Sequence, residues 1–93
     1  MNAEKNIAFH RGYIDIIANI LTAATGGARK TQLMYKCNLS FTQVKNYINL
    51  LLKKQLLQKV TQEKSEKTTF FETTEKGQEF LRAYRRLKAL TTL

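Results

Sequence analysis

The chain has 93 residues, 43% hydrophobic and 25% charged, which fits one folded domain and excludes a disordered or low-complexity polypeptide. Sixteen Lys and Arg stand against seven Asp and Glu, a formal net charge of +9, so a polyanionic partner is expected, nucleic acid before an anionic membrane surface. The single cysteine, Cys37, excludes an internal disulfide and a cysteine-based metal cluster, and no apolar run reaches the roughly 20 residues that span a bilayer. The N-terminus has no signal-peptide apolar core, which makes the cytoplasm the expected location.

Residues 1–6 are polar and expected to fray. Residues 9–24 carry a helical period, with Tyr13, Ile14, Ile16, Ile17, Ile20 and Leu21 on one broad arc and Arg11, Asp15, Asn19 and Thr22 opposite. Gly26-Gly27 stops that helix, because glycine adopts the left-handed backbone without a Cβ clash. A short second helix is predicted over 30–36, with Leu33, Met34 and Cys37 inward, and Asn38-Leu39 forms a turn. Ser40 is placed to cap a third helix over 41–54, with Gln43 reaching back to complete a capping box. Phe41, Val44, Ile48, Leu51, Leu52 and Gln55 fall on its inner side, and Thr42, Lys45, Asn46, Asn49 and Lys53 form an outer stripe with no acid.

Residues 56–61 and 68–73 read as strands joined by a charged loop over 62–67. Of the adjacent Phe70 and Phe71, at least one belongs to the core, since neighbouring strand residues face opposite ways. Thr74 caps a last helix running to about residue 90, whose acid Glu75 suits the positive end of the helix dipole. Gly77, Phe80, Leu81, Tyr84 and Leu87 share one face of it, and Gln78, Arg82, Arg85 and Arg86 the other.

Between Asp15 and Glu63 no acidic residue occurs, yet Arg29, Lys30, Lys36, Lys45, Lys53, Lys54 and Lys59 do. The order helix, helix, turn, helix, strand, loop, strand, helix is that of a winged helix-turn-helix. The predicted class is thus α+β, mostly α: a three-helix core, a two-stranded hairpin wing and a C-terminal dimerisation helix. In such modules the second helix of the helix-turn-helix enters the major groove of duplex DNA. Asn46 and Asn49 have the amide geometry that pairs with adenine edges, and Lys45 can reach guanine O6 and N7. Arg29, Lys30, Thr42, Lys53 and the loop residue Lys64 suit backbone phosphates, with Thr31, Gln32, Ser40 and Gln43 flanking them. The loop is nearly neutral, because Lys64 and Lys67 share it with Glu63 and Glu66.

Phe80, Leu81, Tyr84, Leu87 and Leu90 make a stripe that runs outward along the last helix, so a homodimer through it is expected. The lone histidine, His10, has no patterned nucleophile or acid partner, and nothing else points to an enzyme, a metal or a cofactor.

The segment Gly27-Ala28-Arg29-Lys30-Thr31-Gln32-Leu33-Met34-Tyr35, followed by Asn38-Leu39-Ser40, resembles the helix-turn-helix of small archaeal winged-helix proteins. That family holds chromatin-associated proteins and transcriptional regulators. The Tyr47 to Leu57 stretch resembles its recognition helix passing into the first strand, and Phe71 with Thr74-Glu75-Lys76-Gly77 resembles the opening of its final helix. The resemblance implies double-stranded DNA binding, nucleoid association, a winged domain over 1–74 and a dimerising helix over 75–93. That helix is shorter here than a long antiparallel coiled coil requires. A site-specific transcriptional regulator is the leading reading. A non-specific chromatin coater and a winged helix used for protein interaction stay open beside it.

Overall fold

The protein is described here by a computed structural model covering residues 11–61 and 69–91. The expectations for residues 1–6, His10, the 62–67 loop and Lys64 lie outside the described residues. In chain order the elements are α1 (Tyr13–Ala23), β1 (Ala28–Arg29), α2 (Lys30–Lys36), α3 (Phe41–Lys53), β2 (Leu57–Thr61), β3 (Thr69–Thr73) and α4 (Glu75–Thr91). The strands form one antiparallel sheet in the order β1-β3-β2, with Leu57 opposite Thr73 and Lys59 opposite Phe71.

The sheet therefore has three strands where the hairpin pattern predicts two. Ala28 and Arg29 pair with Phe71 and Phe70, which ties the segment after the α1 stop to the central strand. Gly26 and Gly27 have φ of 87° and 98°, so both take the left-handed region expected of them.

The core lies between the helices and one face of the sheet. Ile17, Ile20 and Leu21 of α1, Leu33 of α2, and Val44, Ile48 and Leu51 of α3 meet Leu57, Phe71 and Leu81 there. Phe71 is buried and Phe70 half-buried, as alternation along β3 demands. The apolar arc of α1 is narrower than its sequence implies: Tyr13 and Ile14 are exposed, because the first turn of the helix overhangs the core. Phe41 also departs from its expected inward place, being 58% exposed at the start of α3.

Two helices end in the same way. Asn38 (φ 54°) and Gln55 (φ 62°) take the left-handed region just after α2 and α3. The Leu39 N–H donates to the Met34 carbonyl and the Leu56 N–H to the Leu51 carbonyl, each 2.9 Å. This closure brings an apolar residue back under the helix, which explains why Leu39 and Leu56 are buried. Gln55, expected on the inner side of α3, is instead the exposed residue at that turn.

α4 is fixed at its start and near its middle. Thr74 caps it by accepting from the Gly77 N–H at 3.0 Å, and the Gln78 amide donates to the Thr25 hydroxyl at 3.1 Å. Near its middle, the Tyr84 hydroxyl donates to the Asp15 carboxylate. Since Thr25 follows α1 and Asp15 begins it, α4 runs antiparallel to α1. Asp15 also accepts from the Gly12 N–H at 3.1 Å. The hydrogen bond from Tyr84 holds the Asp15 carboxyl below its ordinary value, and the bond to Asp15, aided by burial, pushes Tyr84 up to about 12.

A glycine is required at position 77. A Cβ built there would lie 2.4 Å from the Leu56 carbonyl oxygen and 2.5 Å from Thr73 Cγ2. Gly77→Ala is expected to lower stability by about 1–3 kcal/mol despite the better helix propensity of alanine, read as a fall in the urea midpoint. A midpoint equal to or above the parent's would contradict this packing.

Tyr84→Phe is expected to cost about 1–2 kcal/mol at neutral pH, the scale of a hydrogen bond to a charged group. The Tyr84 contribution is complete below its ordinary value of 10.0 and is lost as pH rises through about 12. The Asp15 contribution is complete above its ordinary 3.8 and is lost as pH falls through its lower folded value. The gap between parent and variant should therefore narrow in acid and in strong alkali. Urea titrations that give a constant gap across pH would rule out the pair as its source.

Candidate nucleic-acid interface

α3 is held from behind and by its own caps, leaving its outer side unencumbered. Val44, Ile48 and Leu51 anchor the inner side. The Gln43 N–H donates to the Ser40 hydroxyl at 3.1 Å, and the Ser40 N–H donates to Gln43 Oε1 at 2.9 Å, which completes the expected box. At α2 only the return half of such a box forms, with Gln32 Oε1 accepting from the Arg29 N–H at 2.8 Å. Ser40, Gln43 and Gln32 thus have local structural work, and the oxygen that each lends to a cap is spoken for. The Ser40 hydroxyl proton and the two amide NH2 groups keep their donor capacity.

Thr42, Lys45, Asn46, Asn49 and Lys53 are all exposed on α3, as its period predicts. Among the described residues none of these side chains has an internal hydrogen bond or ion pair. Arg29 on β1 and Thr31 on α2 are exposed as well. Lys30 is half-buried, with its ammonium 4.2 Å from the centre of the Phe41 ring. That contact explains how Phe41 tolerates exposure: its ring face carries a cation instead of a hydrophobic neighbour. It also joins the start of α2 to the start of α3.

Sequence reasoning missed three features here. Tyr35 on α2 is 79% exposed, a second large exposed aromatic side chain in the helix-turn-helix besides Phe41. The Arg11 guanidinium donates to the Cys37 carbonyl at 2.7 Å, so one arginine braces the turn before α3. Lys59 of β2 stands beside Lys45 and Asn49 at a cleft of about 180 Å³ between α3 and the sheet. Strand parity, which puts Lys59 on the same face as Leu57, is the signal that could have found it.

The expected partner-facing stripe of α4 divides in two. Leu81 is enclosed by its own core, a correction to its expected place at an interface, because α4 lies flat on α1 at that point. Phe80 and Tyr84 are half-buried against the same core. Leu87 and Leu90 are 59% and 77% exposed. Among the described residues no cluster of His, Cys, Asp or Glu could hold a metal ion, and no helix is long and apolar enough to cross a membrane.

The winged helix-turn-helix family model matches residues 10–92. Among solved structures, Sso10a-2, a DNA-binding protein from Sulfolobus solfataricus, is similar with a TM-score of 0.77 and 21% identity, over 87% of this chain and 82% of that one. The transcriptional regulator BldR from the same organism gives a TM-score of 0.69 and 22% identity, over 82% of this chain and 56% of that one. FabT from Streptococcus pneumoniae, crystallised in complex with DNA, gives 0.67 and 19% identity, over 84% of this chain and 53% of that one. The chain thus spans little more than half the length of the latter two. Comparison with curated proteins finds no match. The element order, the three-stranded sheet and the family match over nearly the whole chain agree, and the protein belongs to the winged helix-turn-helix family.

Proposed function

We propose that the protein is a double-stranded DNA-binding transcriptional regulator that inserts α3 into the major groove and acts as a homodimer. One observation carries this reading: the outer side of α3 is exposed, basic, free of carboxylates and unoccupied by internal contacts. Solvent-facing helix surfaces ordinarily mix both signs of charge, so a single-sign stripe points to a polyanion. Asn46, Asn49 and Lys45 read base edges in this arrangement, and Arg29, Thr31, Thr42 and Lys53 hold phosphates. Lys30 adds charge at the stripe's edge from its place over Phe41. The frame is shared with two Sulfolobus proteins described as a DNA-binding protein and a transcriptional regulator, which supports the reading. No cofactor, metal or catalytic step enters it, and the place of action is the cytoplasmic nucleoid.

Dimerisation is assigned to the far end of α4. Leu87 and Leu90 lie beyond the part of that helix that α1 covers, and exposed leucines one turn apart are most simply buried against a second copy. Two α3 helices one duplex turn apart would then read symmetric half-sites.

Lys45→Ala combined with Asn49→Ala is expected to weaken a selected target site by about 1–3 kcal/mol per lost base contact, and random duplex much less. Equal losses on both would exclude base readout and favour general coating of DNA. Replacing Arg29 and Lys53 by alanine should instead lower the slope of log affinity against log salt by about 0.9 for each phosphate contact removed, on every sequence. Duplex affinity that ignores salt would defeat the DNA reading in favour of a protein-interaction role.

Leu87→Lys with Leu90→Lys is expected to turn a dimer into a monomer in sedimentation equilibrium while leaving the folded spectrum intact. An unchanged association state would remove α4 from the interface.

A further inference from the structure

Lys59 occupies an uncommon position for a lysine. It is two residues from Leu57 on β2 and directly opposite Phe71 on β3, so it extends the core-facing side of the sheet. Leu57 and Phe71 are 2% and 7% exposed, whereas the Lys59 side chain emerges at the cleft beside α3. There it shares the opening with Lys30, Lys45 and the Asn49 amide. The remaining lining is apolar: Ile48, Leu52 and Phe71.

Among the described residues no carboxylate lines this cleft, where Lys45 and Lys59 stand together with Lys30, whose ammonium lies 4.2 Å from the centre of the Phe41 ring. Like charges disposed in this way repel, and an anion seated among them removes that cost. A bare phosphate would use the lysines and leave the apolar wall unused. An organic anion would use both, with its charged group at the lysines and its body on Phe71 and Leu52. An apolar cavity of about 150 Å³ accepts benzene, so a volume of about 180 Å³ matches one ring or a short branched chain.

We propose that the cleft between α3 and β2–β3 binds a small organic anion, a carboxylate or phosphate monoester with a compact apolar body, and that its occupancy releases DNA. The second half rests on the DNA reading above: Lys45 and Asn49 belong both to the outer stripe and to the cleft, so a ligand drawing on them competes with the duplex. The first half does not depend on DNA.

Phenyl phosphate serves as the probe and inorganic phosphate as its control, both titrated at constant ionic strength into the full chain without DNA. Amide shifts of Asn49, Lys59 and Phe71 report the site. The expected result is binding at those residues, about tenfold tighter for phenyl phosphate than for inorganic phosphate because of the apolar wall. Lys59→Gln should lower the phenyl phosphate affinity by about tenfold, the scale of one charge-assisted hydrogen bond. Equal affinity for the two anions, shifts elsewhere on the molecule, or indifference to Lys59→Gln would each overturn the site. In a second titration, phenyl phosphate should displace a labelled duplex from the parent chain and do so less well from Lys59→Gln. A duplex that stays bound at saturating probe would overturn the competition. If the parent chain binds no duplex even without the probe, the DNA reading fails, whereas the direct titration still decides the site.

Discussion

Backbone carbonyls left over at helix ends set the geometry on which this molecule depends. A helix cannot satisfy its last carbonyls internally, and inside a small domain they need donors from elsewhere. Here the turns that follow the helices supply some of them, and one distant segment supplies others at the ends of both α1 and α3. The Thr73 hydroxyl donates to the Leu21 carbonyl at 2.6 Å and its N–H to the Ala24 carbonyl at 3.2 Å, which closes α1. The Thr74 hydroxyl donates to the Gln55 carbonyl at 2.7 Å, its N–H to the Leu56 carbonyl at 3.1 Å, and the Lys76 ammonium to the Lys54 carbonyl at 2.9 Å, which closes α3. Three residues at the junction of β3 and α4, Thr73, Thr74 and Lys76, thereby hold the ends of two other helices in fixed relation. Gly77 belongs to the same junction, since only a residue without Cβ lets the first turn of α4 lie against Leu56.

The consequence for function is directional. With the carbonyls just past its end bound by Thr74 and Lys76, its start capped by Ser40 and Gln43, and its inner side packed on α2 and β2, α3 has no internal demand on its outer side chains. Polar groups that satisfy each other inside a fold are costly to redirect toward a partner, whereas unpaired exposed groups exchange only water. Lys45, Asn46, Asn49 and Lys53 are of the second kind. The described acids are elsewhere: Asp15 on α1, Glu72 on β3, and Glu75 and Glu79 at the start of α4. The fold therefore separates charge by element, and α2, α3 and β2 carry a field that their own chain does not neutralise.

How much of this is legible in the sequence depends on the range of the interaction that creates each feature. The bounds of α2, the Ser40–Gln43 box, the outer stripe of α3 and the Thr74 cap all follow from contacts within a few residues, and they are readable from the sequence. β1 is not, because two residues hold no period; Ala28 and Arg29 become a strand only by pairing with residues more than forty positions away. The same holds for the Tyr84–Asp15 bond, which spans 69 positions, and for Leu81, whose burial depends on where α4 lands on α1. Phe41 misleads for a different reason. Its apolar ring fits the inner period of α3, yet it sits on the helix's first turn, beyond the core's edge, where the Lys30 ammonium meets it.

The Lys30–Phe41 contact bears on how the outer surface behaves as a unit. Lys30 begins α2 and Phe41 begins α3, so the pair links the two helix starts of the helix-turn-helix. A phosphate drawing the ammonium away would uncover the ring, while one approaching from the far side of Lys30 would leave the cation over it. The second geometry keeps the attraction between cation and ring and adds the attraction to the anion, so the ring favours contacts that leave Lys30 in place. Lys45, Lys53 and Arg29 carry no such restraint and are free to reach outward. In the DNA reading proposed above, one cation held by an aromatic neighbour would act beside several that adjust, which suits a surface whose shape is set by α3 and whose charge would follow the path of a phosphate backbone.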